Sequence, residues 1–119
     1  MKVSIKTTNF KLTPGIRKAV EEKISPLDRF IPHIKVPLKA FVEVGLINRH
    51  HQKGDIYYAE VNINLPGRII RSEAKEESVY KAVNTVKDEL QLLLKKYKKK
   101  QMAKREKALV TLKRKSREA

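Results

Sequence analysis

Between Tyr57 and Glu76 the chain reads YYAEVNINL, then Pro66-Gly67, then RIIRSEAKE, and this stretch constrains the fold more than any other. Ala59, Val61, Ile63 and Leu65 fall on one side of an extended chain and Glu60, Asn62 and Asn64 on the other, because successive strand side chains point to opposite faces. Pro66-Gly67 is a two-residue turn signal. The second run therefore returns antiparallel, with Ile70, Ser72 and Ala74 on the side of the apolar row. One face of this hairpin must be covered, and the flanking sequence has to supply the cover.

It supplies two amphipathic helices. Thr13-Pro14 is a helix start, a hydroxyl able to accept an orphan N–H followed by a residue whose fixed φ suits the first turn. Behind it Ile16, Ala19, Val20, Ile24, Leu27 and Phe30 form one stripe, which Pro26 interrupts or kinks. Lys23 falls inside that stripe by phase, so its ammonium must reach water or a ligand. The second helix begins near Ser78 and carries Val79, Ala82, Val83, Val86, Leu90, Leu93, Leu94 and Tyr97 in one arc, with Leu92 opposite.

Two further strands precede the hairpin. KVSIKTT sets Val3, Ile5 and Thr7 against Lys2, Ser4 and Lys6, and LKAFVEVGLI sets Ala40, Val42, Val44 and Leu46 on one face. The order is β-α-β-β-β-α, an α+β class. A right-handed crossover makes the first two strands parallel and the rest an antiparallel meander, giving a four-stranded mixed sheet with both helices on one face. The α-β-β-β-α part is similar to a double-stranded RNA-binding fold. Residues 1–98 form one domain, and 99–119 a basic, flexible or helical tail with few apolar groups to bury.

Charge narrows the function. The chain has 28 Lys+Arg against 13 Asp+Glu, a formal +15, which calls for a polyanionic partner, nucleic acid before an anionic membrane surface. Without cysteine there is no disulfide, thiolate nucleophile or Cys-ligated zinc. His50-His51 are adjacent histidines with no spaced third ligand, better read as a plain solvated hairpin, or next as a polar contact loop with Arg49 and Lys53, than as a metal site. No nucleophile-base spacing or Gly-rich phosphate loop stands out, so no enzyme, cofactor or small-molecule substrate is expected. The alternating N-terminus and the lack of an apolar span point to a cytoplasmic protein with no membrane partner. The sharpest feature is KKYKKKQMAKREK, in which Lys95, Lys96, Lys98, Lys99 and Lys100 follow one another with no acid among them. Solvated helices normally mix signs at i,i+4, so this run is assigned to RNA contact.

The stretches TPGIRKAVEEKISPLDRF and AEVNINLPGRIIRSEAKEESVYKAVNTVKDEL, followed by LKKYK, resemble the ribosome hibernation-promoting factors, also called ribosome-associated translation inhibitors. The resemblance covers residues 1–98 and implies a non-catalytic domain, of the short form, that binds the small ribosomal subunit in the mRNA and tRNA channel. It implies that Lys23 and Arg29 of the first helix and Lys95, Lys96 and Lys98 of the second touch 16S-type ribosomal RNA; Lys87, Lys99 and Lys100 are placed with them, on a protein monomeric off the ribosome. Pro26 stands where the family often has lysine, and Leu92-Leu93 where it often has Arg-Gln. The alternative is a general RNA-binding or RNA-chaperone module without ribosome specificity.

Overall fold

A computed structural model describes the backbone of residues 1–48 and 54–118 and the side chains of 1–47 and 54–114. Its elements are β1 (Lys2–Thr8), α1 (Pro14–Ile24), a 3-10 segment (Ser25–Phe30), β2 (Lys39–Asn48), β3 (Ile56–Leu65), β4 (Arg68–Glu76) and α2 (Val79–Glu118). The four strands lie in the order β1-β2-β3-β4. β1 runs parallel to β2, with Ile5 opposite Val42. The other two pairings are antiparallel, with Val42 opposite Val61 and Ile63 opposite Ile70. The fold is the α+β arrangement expected from the period changes.

Local chemistry sets the boundaries. Thr13 Oγ1 accepts from the Ile16 N–H at 3.2 Å, and Pro14 opens α1. Pro26 has no N–H to continue the helix ladder, and from Ser25 the chain tightens into the 3-10 segment. Ser78 Oγ accepts from the Lys81 N–H at 3.1 Å and caps α2. Gly67, at φ 76°, takes the left-handed position of the β3–β4 turn. Gly45 is required for a different reason: a Cβ there would lie 2.5 Å from the Tyr58 ring and 2.8 Å from the Thr8 carbonyl oxygen.

The core is the single layer between sheet and helices. Val20 and Ile24 of α1, Leu27, the inward rows Ala40-Val42-Val44 and Ala59-Val61-Ile63, and Val86, Leu90 and Leu94 of α2 are all buried. Ser72 is the buried polar residue among them. Tyr97 is the last buried side chain of α2 among the described residues, yet the helix does not break at residue 98. Gln101 and Met102 are half-buried, and from 103 to 114 every side chain is exposed. The 40-residue helix thus spans about 60 Å at 1.5 Å per residue, well beyond the sheet it covers.

Candidate nucleic-acid interface

Consecutive helix residues are turned by about 100°, so an unbroken lysine run cannot present one face. Tyr97 points inward, and the lysines around it divide between two flanks. Lys95 falls on the flank facing the 3-10 segment. Lys96 and Lys100 fall on the flank facing β4, where they border a depression together with Arg68 and Leu93. Lys98 is half-buried, and Lys99 is exposed on the side away from the sheet.

On the first flank, Phe30 gathers the charges. The Arg29 guanidinium carbon lies 5.0 Å from the ring centroid and Lys95 Nζ 5.3 Å from it. Each cation–π contact contributes about 0.5–1 kcal/mol at an exposed site, and the ring brings two cations together without neutralising either. By sequence phase Phe30 belongs to the apolar stripe alone; its half-buried ring serves both purposes. Lys23 is exposed in the last turn of α1, just before the 3-10 segment that carries Arg29. Lys87 is different. Its ammonium pairs with the Asp88 carboxylate at 3.0 Å, and it sits about 12 Å along α2 from Lys95, so it does not join the cluster.

A hydrogen-bond chain holds this turn of α2 in place. Tyr97 OH donates to the Pro66 carbonyl at 2.9 Å and accepts from Gln101 Nε2 at 2.7 Å. Gln101 Oε1 meets His33 Nε2 at 2.5 Å, and the imidazole stacks on the Tyr97 ring with centroids 6.4 Å apart. The β3–β4 turn, the loop after the 3-10 segment and the lysine-bearing turn are therefore tied at one point. The tyrosine within Lys-Lys-Tyr-Lys is an anchor, and the lysines around it are what it orients.

The opposite face of the sheet mixes charges, with carboxylates along its middle and Lys2, Lys6, Lys39 and Lys75 around them. Glu43, Glu60 and Glu73 stand in register across β2, β3 and β4. Thr8 Oγ1 and Tyr58 OH donate to Glu43 at 2.7 and 2.9 Å, and Arg71 donates to Glu60 and Glu73 at 3.1 and 3.3 Å. The Thr8 and then the Tyr58 hydrogen bond hold the Glu43 carboxyl below its ordinary range. These carboxylates offset the cations beside them, whereas Lys95, Lys96, Lys98, Lys99 and Lys100 have no ion pair among the described residues, so the helix side is the one suited to a polyanion.

Among the described residues no His, Asp and Glu group could hold a metal ion, and no helix is long and apolar enough to cross a membrane. His50, His51, Arg49 and Lys53 lie outside the described residues.

A family model described as Sigma 54 modulation protein / S30EA ribosomal protein matches residues 3–102. Two curated proteins named ribosome hibernation promotion factor, from Deinococcus radiodurans and Bacillus subtilis, are 32% and 29% identical over 98 residues. Each match covers 82% of this chain and 49% of the relative, so the chain spans about half the length of the curated relatives it matches. The crystal structure of the Thermus thermophilus Protein Y N-terminal domain superposes with a TM-score of 0.68 at 28% identity, covering 82% of this chain and 99% of that one. A ribosomal subunit interface protein from Coxiella burnetii shares the fold, with a TM-score of 0.63 at 24% identity over 82% of this chain and 98% of its own.

Proposed function

The chain belongs to the Sigma 54 modulation protein / S30EA ribosomal protein family, and from that premise we propose that it is a ribosome-binding hibernation factor. It occupies the mRNA and tRNA channel of the small subunit and silences idle ribosomes by occlusion. It acts as a monomer in the cytoplasm and performs no chemistry. The observation that carries this reading is the division of charge: midway along α2, around Tyr97, stand lysines with no ion pair among the described residues, while on the uncovered sheet face Glu43, Glu60 and Glu73 offset the cations beside them. Such a molecule can press one side against ribosomal RNA and turn the other away.

In this reading Arg29 and Lys95, held by Phe30, grip the RNA backbone beside Lys23, and Lys98 and Lys99 extend the contact along α2. Lys96 and Lys100 approach from the other flank. Lys87 contributes less, since Asp88 already offsets its charge.

Sucrose-gradient sedimentation with small subunits tests the reading. The wild type should co-sediment, and changing Lys95, Lys96 and Lys98 to glutamine should weaken binding and relieve inhibition of translation together. A subunit preloaded with mRNA and initiator tRNA should resist the protein. Undiminished binding of protein, mRNA and tRNA to one subunit would refute occlusion. The exposed basic turns of residues 103–114 favour a second reading, a general RNA-binding module, which predicts equal affinity for unrelated structured RNA.

A further inference from the structure

Arg68 occupies a position that strand periodicity reserves for an apolar side chain. Ile70, Ser72 and Ala74 of β4 are buried against the helices, and Arg68, two residues before Ile70, shares their face. Opposite it in register stands Leu65, also buried. Arg68 is nevertheless exposed. It looks across a depression of about 480 Å³ whose far wall is Lys96 and Lys100. A second hollow continues from Arg68 past the Pro66-Gly67 turn to Lys100 and Lys104. No acidic residue lines either, and among the described residues none of these four cations is ion-paired.

Four cations facing one another across an open cleft repel, and a fold indifferent to ligands would place an acid or an aliphatic residue among them. Breaks in pattern of this kind concentrate where a chain binds something. Arg71 also borders the depression, but Glu60 and Glu73 draw its guanidinium toward the other sheet face. It marks the edge of the basic surface. β4 is an edge strand, so among the described residues no further strand occludes the cleft.

We propose that the cleft between β4 and α2, formed by Arg68, Lys96, Lys100 and Lys104, is a second phosphate-backbone site that holds an RNA segment separate from the one at Phe30. The inference rests on the ribosomal RNA reading above and extends it: α2 is a wedge between two RNA segments, with Lys95 serving one and Lys96 and Lys100 the other. Arg68 is the residue that makes the second flank a site, since its planar fork suits phosphate oxygens where a lone lysine row offers only point charges.

The experiment compares two double variants, Arg68→Gln with Lys100→Gln and Arg29→Gln with Lys95→Gln, with the wild type and with the fourfold variant. Affinity for small ribosomal subunits and for a short RNA hairpin is measured from 50 to 200 mM salt. All four positions are exposed, and thermal unfolding checks that each variant folds. Removing two phosphate contacts shortens the salt slope by about 1.4–1.8, so each double variant should lose about tenfold less affinity than the wild type across that range. For independent flanks the two differences combine to about a hundredfold in the fourfold variant. An Arg68, Lys100 variant that tracks the wild type at every salt concentration overturns the second site. So does weakened subunit binding with an unchanged salt slope, which would mean that the cleft meets something other than phosphate. If the wild type binds the hairpin but not the subunit, and the slope change persists, the cleft stands and the ribosome reading falls. Failure to bind either RNA removes both.

Discussion

Two truncations of α2, one after Lys98 and one after Met102, should behave very differently in thermal unfolding. The shorter chain loses Gln101, and with it the bonds to Tyr97 OH at 2.7 Å and to His33 at 2.5 Å. At about 0.5–1.5 kcal/mol each, and with the half-buried Met102 also gone, the loss is about 2 kcal/mol. For a domain of this size that lowers Tm by about 6–10 °C. The longer chain keeps every buried or half-buried side chain of α2 described here, because residues 103–114 are all exposed. Its Tm should move by no more than about 2 °C. RNA affinity should fall in both. Removing residues 103–119 takes away seven Lys/Arg against two acids, and removing 99–119 takes away nine against two. Circular dichroism melts and salt-resolved RNA titrations on the same two proteins separate the effects. Equal loss of Tm in both truncations would show that the turns beyond Met102 support the fold, and would refute the division drawn here.

Gly45→Ala places a methyl group into the Tyr58 ring and the Thr8 carbonyl, and should destabilise the domain by about 1–3 kcal/mol, read as a lowered denaturant midpoint. The acid limb of stability should depend on Glu43. Its carboxyl titrates below the ordinary 4.5 when folded, so the unfolded chain binds more protons in that window. The contribution is complete above that ordinary value and is lost as pH falls through the folded pKa. Thr8→Val with Tyr58→Phe should flatten this part of the pH profile in denaturation series, whereas parallel profiles would count against the hydrogen bonds as its cause.

The architecture was legible because period two and period 3.6 are local properties. The alternation Ala59-Val61-Ile63-Leu65 alone fixed which face of β3 is buried, and Pro26 announced the end of α1. The interface was legible only in part. Lys95 to Lys100 looked like one patch in sequence, and the helical turn distributes them over two flanks. The bracket at Phe30 pairs side chains far apart in the chain, so no spacing could announce it. Lys87 looked like its neighbours until Asp88 proved to hold it. Arg68 lies one step back, at the start of β4, along the same alternation that identifies Ile70, Ser72 and Ala74, so its phase is legible in the sequence. That step exposes a cation in an apolar phase, the same kind of irregularity that Lys23 showed in α1.

The stretch of α2 beyond Met102 has a kinetic consequence. Residues 103–118 extend about 24 Å at 1.5 Å per residue, whereas electrostatic fields in physiological salt decay over about 8 Å. Cations near the far end are therefore screened from those around Tyr97 and act on a different part of the approach. They attract a polyanion while the domain is still at a distance, and once docking is complete they add little to what Phe30 and its neighbours hold. Charge placed on such a mast raises the rate of encounter more than it lengthens the stay. A domain whose target is one polyanion among many gains search speed in this way without becoming harder to release.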